Sequence, residues 1–270
     1  MYYRCAGAAR RWDKQPQARY SRAMQEAPNE IDASAIALFL DVDGTLLDFR
    51  DHPDHVRSDP ELIELLQLAE RAVGGALSLV SGRSIDAIDR IFAPARFPAA
   101  GGHGVELRLP GGGVTAVSGT SLPDAALRRI RHYAERHGLL LEQKRGGVAL
   151  HYRQAPELEA DCRQLVHEVL RDVVDDFRLI DGKMVLELAP RGHDKGEIVR
   201  KIMRCAPYKG RRPVFLGDDI TDEDAFRAVN ALDGISIRVG SDQATAAEYR
   251  LDDVSDVHRW LHRIVYHISA

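Results

Sequence analysis

From residue 31 onward the apolar positions switch between two spacings. Ile36-Ala37-Leu38-Phe39-Leu40 is an unbroken apolar run of strand length that leads into Asp41. A run apolar on both sides fits a sheet covered on both faces. "DPELIELLQLAERA" then places Leu62, Leu65, Leu66 and Ala69 on one helical face, with Asp59 as N-cap and Pro60 at the first helical position. "ALSLVSGR" reads as a second strand, and "SIDAIDRIF" as a helix with Ile85, Ile88 and Phe92 inward. Strand and helix in alternation predict an α/β fold, a doubly wound parallel sheet with helices on both faces. Such sheets bind ligands beyond the carboxyl ends of their strands, where Asp41, Asp43 and Ser81 fall.

Near residue 105 the pattern changes. "VELRLPGGGVTAV" reads as a hairpin turning on Pro110 and three glycines, and "LLLEQKRGGVALHYR" as another about Gly146-Gly147. Between and after them come helices at about 124–137, with Ile130, Tyr133 and Ala134 inward, and 156–172, with Leu158, Cys162, Leu165, Val166 and Val169 at helical spacing. "FRLIDGKMVLELAP" adds two short strands. From Asp194 the first pattern returns: "KGEIVRKIM" as helix, "RRPVFLGDD" as a strand ending in carboxylates, then "TDEDAFRAVNAL", "GISIRVG" and a closing amphipathic helix. The expected organisation is a leader over 1–30, a core from 31–110 and 190–270, and a smaller α+β domain inserted at 111–189.

Composition narrows the class. The chain has 270 residues, 44% hydrophobic, ample for a large core. The net charge of −4 comes from interspersed acids and bases, without the basic stripe of a nucleic-acid binder. No apolar run is long enough to span a bilayer as a helix. Cys5, Cys162 and Cys205 are odd in number and widely spaced, which argues against a disulfide framework or zinc site and for a reducing cytoplasm. The first thirty residues are arginine-rich and lack a secretory h-region; Met24 is a second candidate start.

Four short strings carry the chemistry: "DVDGT", "SGR", "DKG" and "GDDITDED". Each ends a strand or opens a helix. Alone, each has a bland reading: Ser-Gly is a common turn, Lys195 a solvated helix-start lysine, and Asp218-Asp219 a helix cap. Together they supply carboxylates, a hydroxyl, an ammonium and glycine turns, the inventory for binding phosphate with a hard cation such as Mg²⁺. His103 in "GGHGVE" suits either turn structure or substrate contact.

In that order the four strings resemble the motifs of the haloacid dehalogenase-like (HAD-like) aspartate-nucleophile phosphatases. "HGVE", "ALHYRQAP", "LELAPRGHDKGE" and "VFLGDDITDEDAF" are similar, more narrowly, to bacterial trehalose-6-phosphate phosphatases. The resemblance implies a HAD-like Rossmannoid core, with the insertion as a substrate-reading cap. It implies Asp41 as nucleophile, Asp43 as acid and base, and Lys195 offsetting the charge of Asp41. Mg²⁺ falls to Asp41, the Asp43 carbonyl and Asp218, with Asp219 and Asp222 orienting Asp218 or binding metal-bound water. Ser81, Gly82, Arg83 and Lys195 fall to phosphate, and Thr45 to phosphate or to fixing the loop. Glu142, Lys144, Lys183 and Glu187 fall to sugar hydroxyls, with Arg145 and His151 as weaker candidates. The expected activity is hydrolysis of trehalose 6-phosphate by a cytoplasmic enzyme, expected monomeric, with a small-molecule partner only. Alternatives are another sugar phosphate (sucrose or mannosyl), a phospho-aspartate receiver module, and a silent binding protein. The absence of G-x-x-x-x-G-K-[ST] disfavours a P-loop kinase.

Overall fold

The computed structural model describes residues 25–28, 30–48, 56–116, 121–182, 184–240 and 244–266. In chain order the elements are β1 (Gln25–Glu26), β2 (Ile36–Leu40), α1 (Pro60–Ala72), β3 (Leu77–Val80), α2 (Ile85–Ile91), β4 (Ala99–Gly101), β5 (Glu106–Arg108), β6 (Thr115–Ala116), α3 (Asp124–His137), β7 (Leu140–Gln143), β8 (Val148–His151), α4 (Glu159–Val173), β9 (Phe177–Gly182), β10 (Val185–Pro190), α5 (Lys195–Ile202), β11 (Arg212–Gly217), α6 (Asp222–Asn230), β12 (Ile235–Val239), β13 (Tyr249–Leu251) and α7 (Val254–Tyr266).

Nine strands form one sheet in the order β1-β13-β12-β11-β2-β3-β4-β5-β6. Pairing is parallel from β1 across to β4 and antiparallel for β5 and β6. All five residues of β2 are buried, so this central strand is covered on both faces. Helix α1 packs with α7, and α5 with α6. The N-terminus of α1 is set as its sequence predicts, with the Asp59 side chain accepting the Leu62 N–H at 2.7 Å, a cap worth about 1 kcal/mol. Chain order reverses between β2 and β11, which places the sheet's switch point at the ends of those two strands.

The remaining four strands form an antiparallel sheet, β7-β8-β10-β9. Its alternation is regular. Val148, Leu150, Leu186 and Leu188 pack against Ile130 and Ala134 of α3 and Cys162, Val166 and Val169 of α4. Val185 and Glu187, one residue out of phase, face the opposite way into a cavity. The small sheet's core shares no residue with the core of the large sheet.

Two boundaries differ from the sequence expectation. Gln25–Glu26, expected within the leader, pairs with Tyr249–Arg250 at the sheet edge, and Trp260 Nε1 donates to the Pro28 carbonyl at 2.9 Å. Residues 1–24 lie outside the described residues. The hairpin strand Thr115–Ala116, expected in the insertion, pairs with β5 and so extends the large sheet. Among the described residues no helix is long and apolar enough to cross a membrane.

Candidate active site

Strand β2 delivers Asp41 to the switch point, where its backbone N–H donates to Leu216 O at 3.0 Å. The chain then turns sharply: Val42 O accepts the N–H groups of Leu46 and Leu47, and Gly44 N–H donates to Leu47 O at 2.7 Å. Gly44 is required twice over. Its φ is +85°, and a Cβ there would lie 2.3 Å from Asp218 Oδ2. The turn brings "DVDGT" against "GDD", two strings 175 residues apart in sequence (Asp43 to Asp218).

Lys195 opens α5 behind an Asp194 N-cap and is 2% exposed. Its Nζ donates to Asp41 Oδ1 at 2.7 Å and Asp222 Oδ1 at 2.6 Å. The other oxygen of Asp222 accepts the backbone N–H groups of Asp218 and Asp219 at 3.1 and 3.0 Å. Asp222 therefore shapes the loop that presents Asp218, and both its oxygens are engaged in doing so. Asp219 folds back onto Thr221, accepting its N–H and hydroxyl at 2.7 and 2.6 Å.

The charge in this centre is lopsided. Burial pushes the Asp41 carboxyl well above its ordinary range, Lys195 opposes that, and Asp222, Asp218 and Asp219 add to it. Burial also pushes Asp222 up to about 6. Burial disfavours the Lys195 ammonium, but Asp222 and Asp41 outweigh it and hold its pKa well above the usual lysine value. Asp219 stays low, at about 2, because Lys195 and its bonds to Thr221 outweigh the cost of burial. One ammonium among four carboxylates leaves a place for another cation. Oxygens of Asp41, Asp218 and Asp222 lie within 4.8 Å of one another. Asp222 has both oxygens committed, to Lys195 and two amides, so Asp41 and Asp218 are the carboxylates suited to a hard divalent ion, and the all-oxygen set suits Mg²⁺.

The "SGR" string lies beside this centre. Ser81 follows β3 and is buried, and its Oγ accepts the Arg83 N–H at 3.1 Å. Gly82 lies under the His103 ring, so a Cβ would come within 2.5 Å of His103 Nε2. His103 is buried with φ of 53°, a conformation rarely held by non-glycine residues. Arg83 was expected at phosphate. In this structure it forks onto Asp43, Nε to Oδ2 at 2.6 Å and Nη2 to Oδ1 at 2.7 Å. Thr45 is fully buried, does not line the cavity, and its Oγ1 has no hydrogen-bond partner among the described residues.

A cavity of about 840 Å³ joins these groups to the small sheet. Glu142, Lys144 and Glu187 all line it, as does His151, whose Nε2 is 3.0 Å from Glu142 Oε2. Lys183 lies outside the described residues. Arg145 does not line the cavity. Lys144 Nζ donates to Glu187 Oε2 at 2.7 Å and to the Gly82 carbonyl at 3.1 Å, tying the small sheet to the "SGR" loop. Sequence reasoning passed over Arg153, Gln154 and Ile220 as wall residues. Arg153 and Gln154 stand in "ALHYRQAP", directly after the hairpin, which was the available signal.

Glu187 gives a pH prediction. Burial raises its pKa, but Lys144 and then His103 reverse this and hold it at about 2, below the ordinary 4.5. A depressed carboxyl stabilises the fold fully above about pH 4.5 and loses that contribution as pH falls through about 2, worth at most about 3 kcal/mol at neutral pH. Glu187→Gln should therefore unfold at lower denaturant than the parent at pH 7, with the gap shrinking between pH 4.5 and 2. A gap independent of pH would show that Glu187 contributes no such charge linkage.

With the geometry established, comparison with known proteins gives a consistent result. Residues 39–255 match the trehalose-phosphatase family. The chain is 43% identical over 233 residues to trehalose-6-phosphate phosphatase of Escherichia coli (strain K12), covering 84% of this chain and 86% of that one. A solved trehalose-6-phosphate phosphatase related protein superposes with a TM-score of 0.68 at 27% identity, over 84% of this chain and 96% of its own. A haloacid dehalogenase-like hydrolase from B. subtilis shares the fold, with a TM-score of 0.60 at 15% identity, over 85% of this chain and 99% of its own. A buried aspartate–lysine centre at the switch point of a HAD-like sheet, in a chain matched to this family over most of its length, makes it a member of the trehalose-phosphatase family and a phosphoric monoester hydrolase.

Proposed function

We propose that this enzyme hydrolyses trehalose 6-phosphate to trehalose and phosphate through a phosphorylated Asp41. The observation that carries the mechanism is the buried Asp41–Lys195 contact at 2.7 Å. It fixes one Asp41 oxygen on the ammonium and leaves the other for attack on phosphorus. Carboxylates can act as nucleophiles in this way, dividing one difficult displacement into two. Asp43, two residues on, protonates the departing sugar oxygen and then takes a proton from the water that cleaves the acyl phosphate. To reach those oxygens its carboxyl must leave the Arg83 fork. Ser81 and the Gly82 backbone, with Lys195, receive the phosphoryl oxygens. Asp41, Asp218 and the Asp43 carbonyl are the groups suited to hold Mg²⁺. When bound, the ion offsets phosphate charge that the surplus of carboxylates would otherwise repel.

The small sheet, with α3 and α4, serves as a cap that reads the sugar. Its Glu142, Lys144 and Glu187 face the same cavity as Asp41, and charged side chains suit the many hydroxyls of a disaccharide. Cys162 and Cys205 are free thiols, in keeping with a cytoplasmic enzyme.

Phosphate release from trehalose 6-phosphate, sucrose phosphate and mannosyl phosphate, each with and without Mg²⁺, tests this reading. The expected result is turnover of trehalose 6-phosphate well above the others, lost on chelation and restored by Mg²⁺. Faster turnover of a different sugar phosphate by a wide margin would replace the substrate assignment.

A further inference from the structure

The turn joining β7 to β8 reaches the large-sheet half at two points, Gly82 of the "SGR" loop and Glu106 of β5, and the second involves no cavity residue. Arg145 Nε lies 3.0 Å from Glu106 Oε1. Glu106 stands on β5 of the large sheet and is 6% exposed. Its second oxygen accepts the backbone N–H of Ile85 at 2.7 Å, the first residue of α2 and two beyond Arg83. The same turn sends Lys144 to the Gly82 carbonyl. Space around Glu106 is tight: a Cβ on Gly101 would lie 3.1 Å from Glu106 Oε2 and 2.8 Å from both Arg83 O and Ile85 N. Neither Arg145 nor Glu106 lines the cavity.

We infer that Arg145 is a positioning residue. Through Glu106 it registers the small sheet on the loop Ser81–Ile85, so that docking of the sugar-reading layer and placement of the phosphate-receiving loop are one event. The chain of contacts is short and continuous: guanidinium, buried carboxylate, helix-start amide. A carboxylate shared between a cation and an N–H holds both in line, and Glu106 has no freedom to follow Arg145 without disturbing Ile85. This deepens the reading above, because calling residues 81–83 a phosphate loop rests on it. The test below needs no substrate, so its outcome is separate from that of the hydrolysis assay.

Hydrogen–deuterium exchange of the free protein decides it. Arg145 is half exposed, so the pair belongs to the weaker class of ion pairs, and its loss should be read as a modest change. In Arg145→Ala, exchange across residues 81–86 should accelerate about two- to five-fold. Arg145→Lys, which keeps the charge, should recover part of that protection. Glu106→Gln keeps an oxygen for the Ile85 N–H while removing the charge, and in that background Arg145→Ala should add nothing further. Unchanged exchange over 81–86 in Arg145→Ala overturns the inference. So does an equal acceleration in the Glu106→Gln background, which would show that Arg145 acts on something else. An acceleration shared by Val254–Tyr266 overturns it as well, because that reports general loosening.

Discussion

Asp41→Asn is expected to lose turnover by about 10⁴-fold or more while the protein stays folded. Asparagine keeps the shape of aspartate but is not a nucleophile toward phosphorus. The fold should tolerate it for a reason specific to this site. Asp41 sits among Asp218, Asp219 and Asp222 with one ammonium between them, and burial already works against its charge. Removing a charge from that crowd leaves Lys195 paired with Asp222 at 2.6 Å. The melting temperature should therefore hold or rise while activity vanishes, the inverse movement of stability and function expected where a site carries uncompensated charge. Quenched turnover with labelled substrate, followed by digestion, checks the chemistry. Label recovered on a residue other than 41, or substantial turnover by the asparagine variant, would reassign the nucleophile.

Lys195→Met should damage both properties at once. The ammonium is the one cationic side chain that bonds directly to Asp41 and Asp222 among the described residues, and all three are buried. Methionine fits the volume and leaves two buried carboxylates without their ammonium. Breaking a buried pair from one side costs about 3–5 kcal/mol. The loss of charge opposite the phosphoryl group costs turnover by about 10²–10³-fold. Denaturant titration and steady-state kinetics read the two effects separately. A Lys195→Met protein as stable as its parent would mean that the centre does not depend on the ammonium for its stability.

Much of this site could be read from residues 36–45, 81–83, 194–196 and 217–222, because each string sits where an apolar run stops and glycine or a helix start begins. Periodicity alone separated the strongly amphipathic helices and the buried strands. It missed β4, whose Ala99-Ala100-Gly101 is too small to show a pattern, and β13, only three residues long. Parallel pairing gave such short segments their place. Partnership was also beyond the sequence. Nothing in "SGR" says that Arg83 forks onto Asp43, 40 positions earlier, or that Asp222 holds two amides of its own loop. Arg145 was a weaker candidate for a sugar contact because it stands in the same hairpin string as Lys144, which lines the cavity. Side chains next to each other in a turn point in different directions, and this one points to Glu106.

The two apolar cores having no member in common has an evolutionary corollary. Residues filling the space between α3, α4 and the small sheet can drift without disturbing the packing around β2. Under the roles proposed above, cleavage of the phosphate ester and choice of the alcohol it releases rest on separately packed cores of one chain. A lineage can acquire a new leaving group by remodelling the smaller half, keeping the bond-breaking apparatus it inherited.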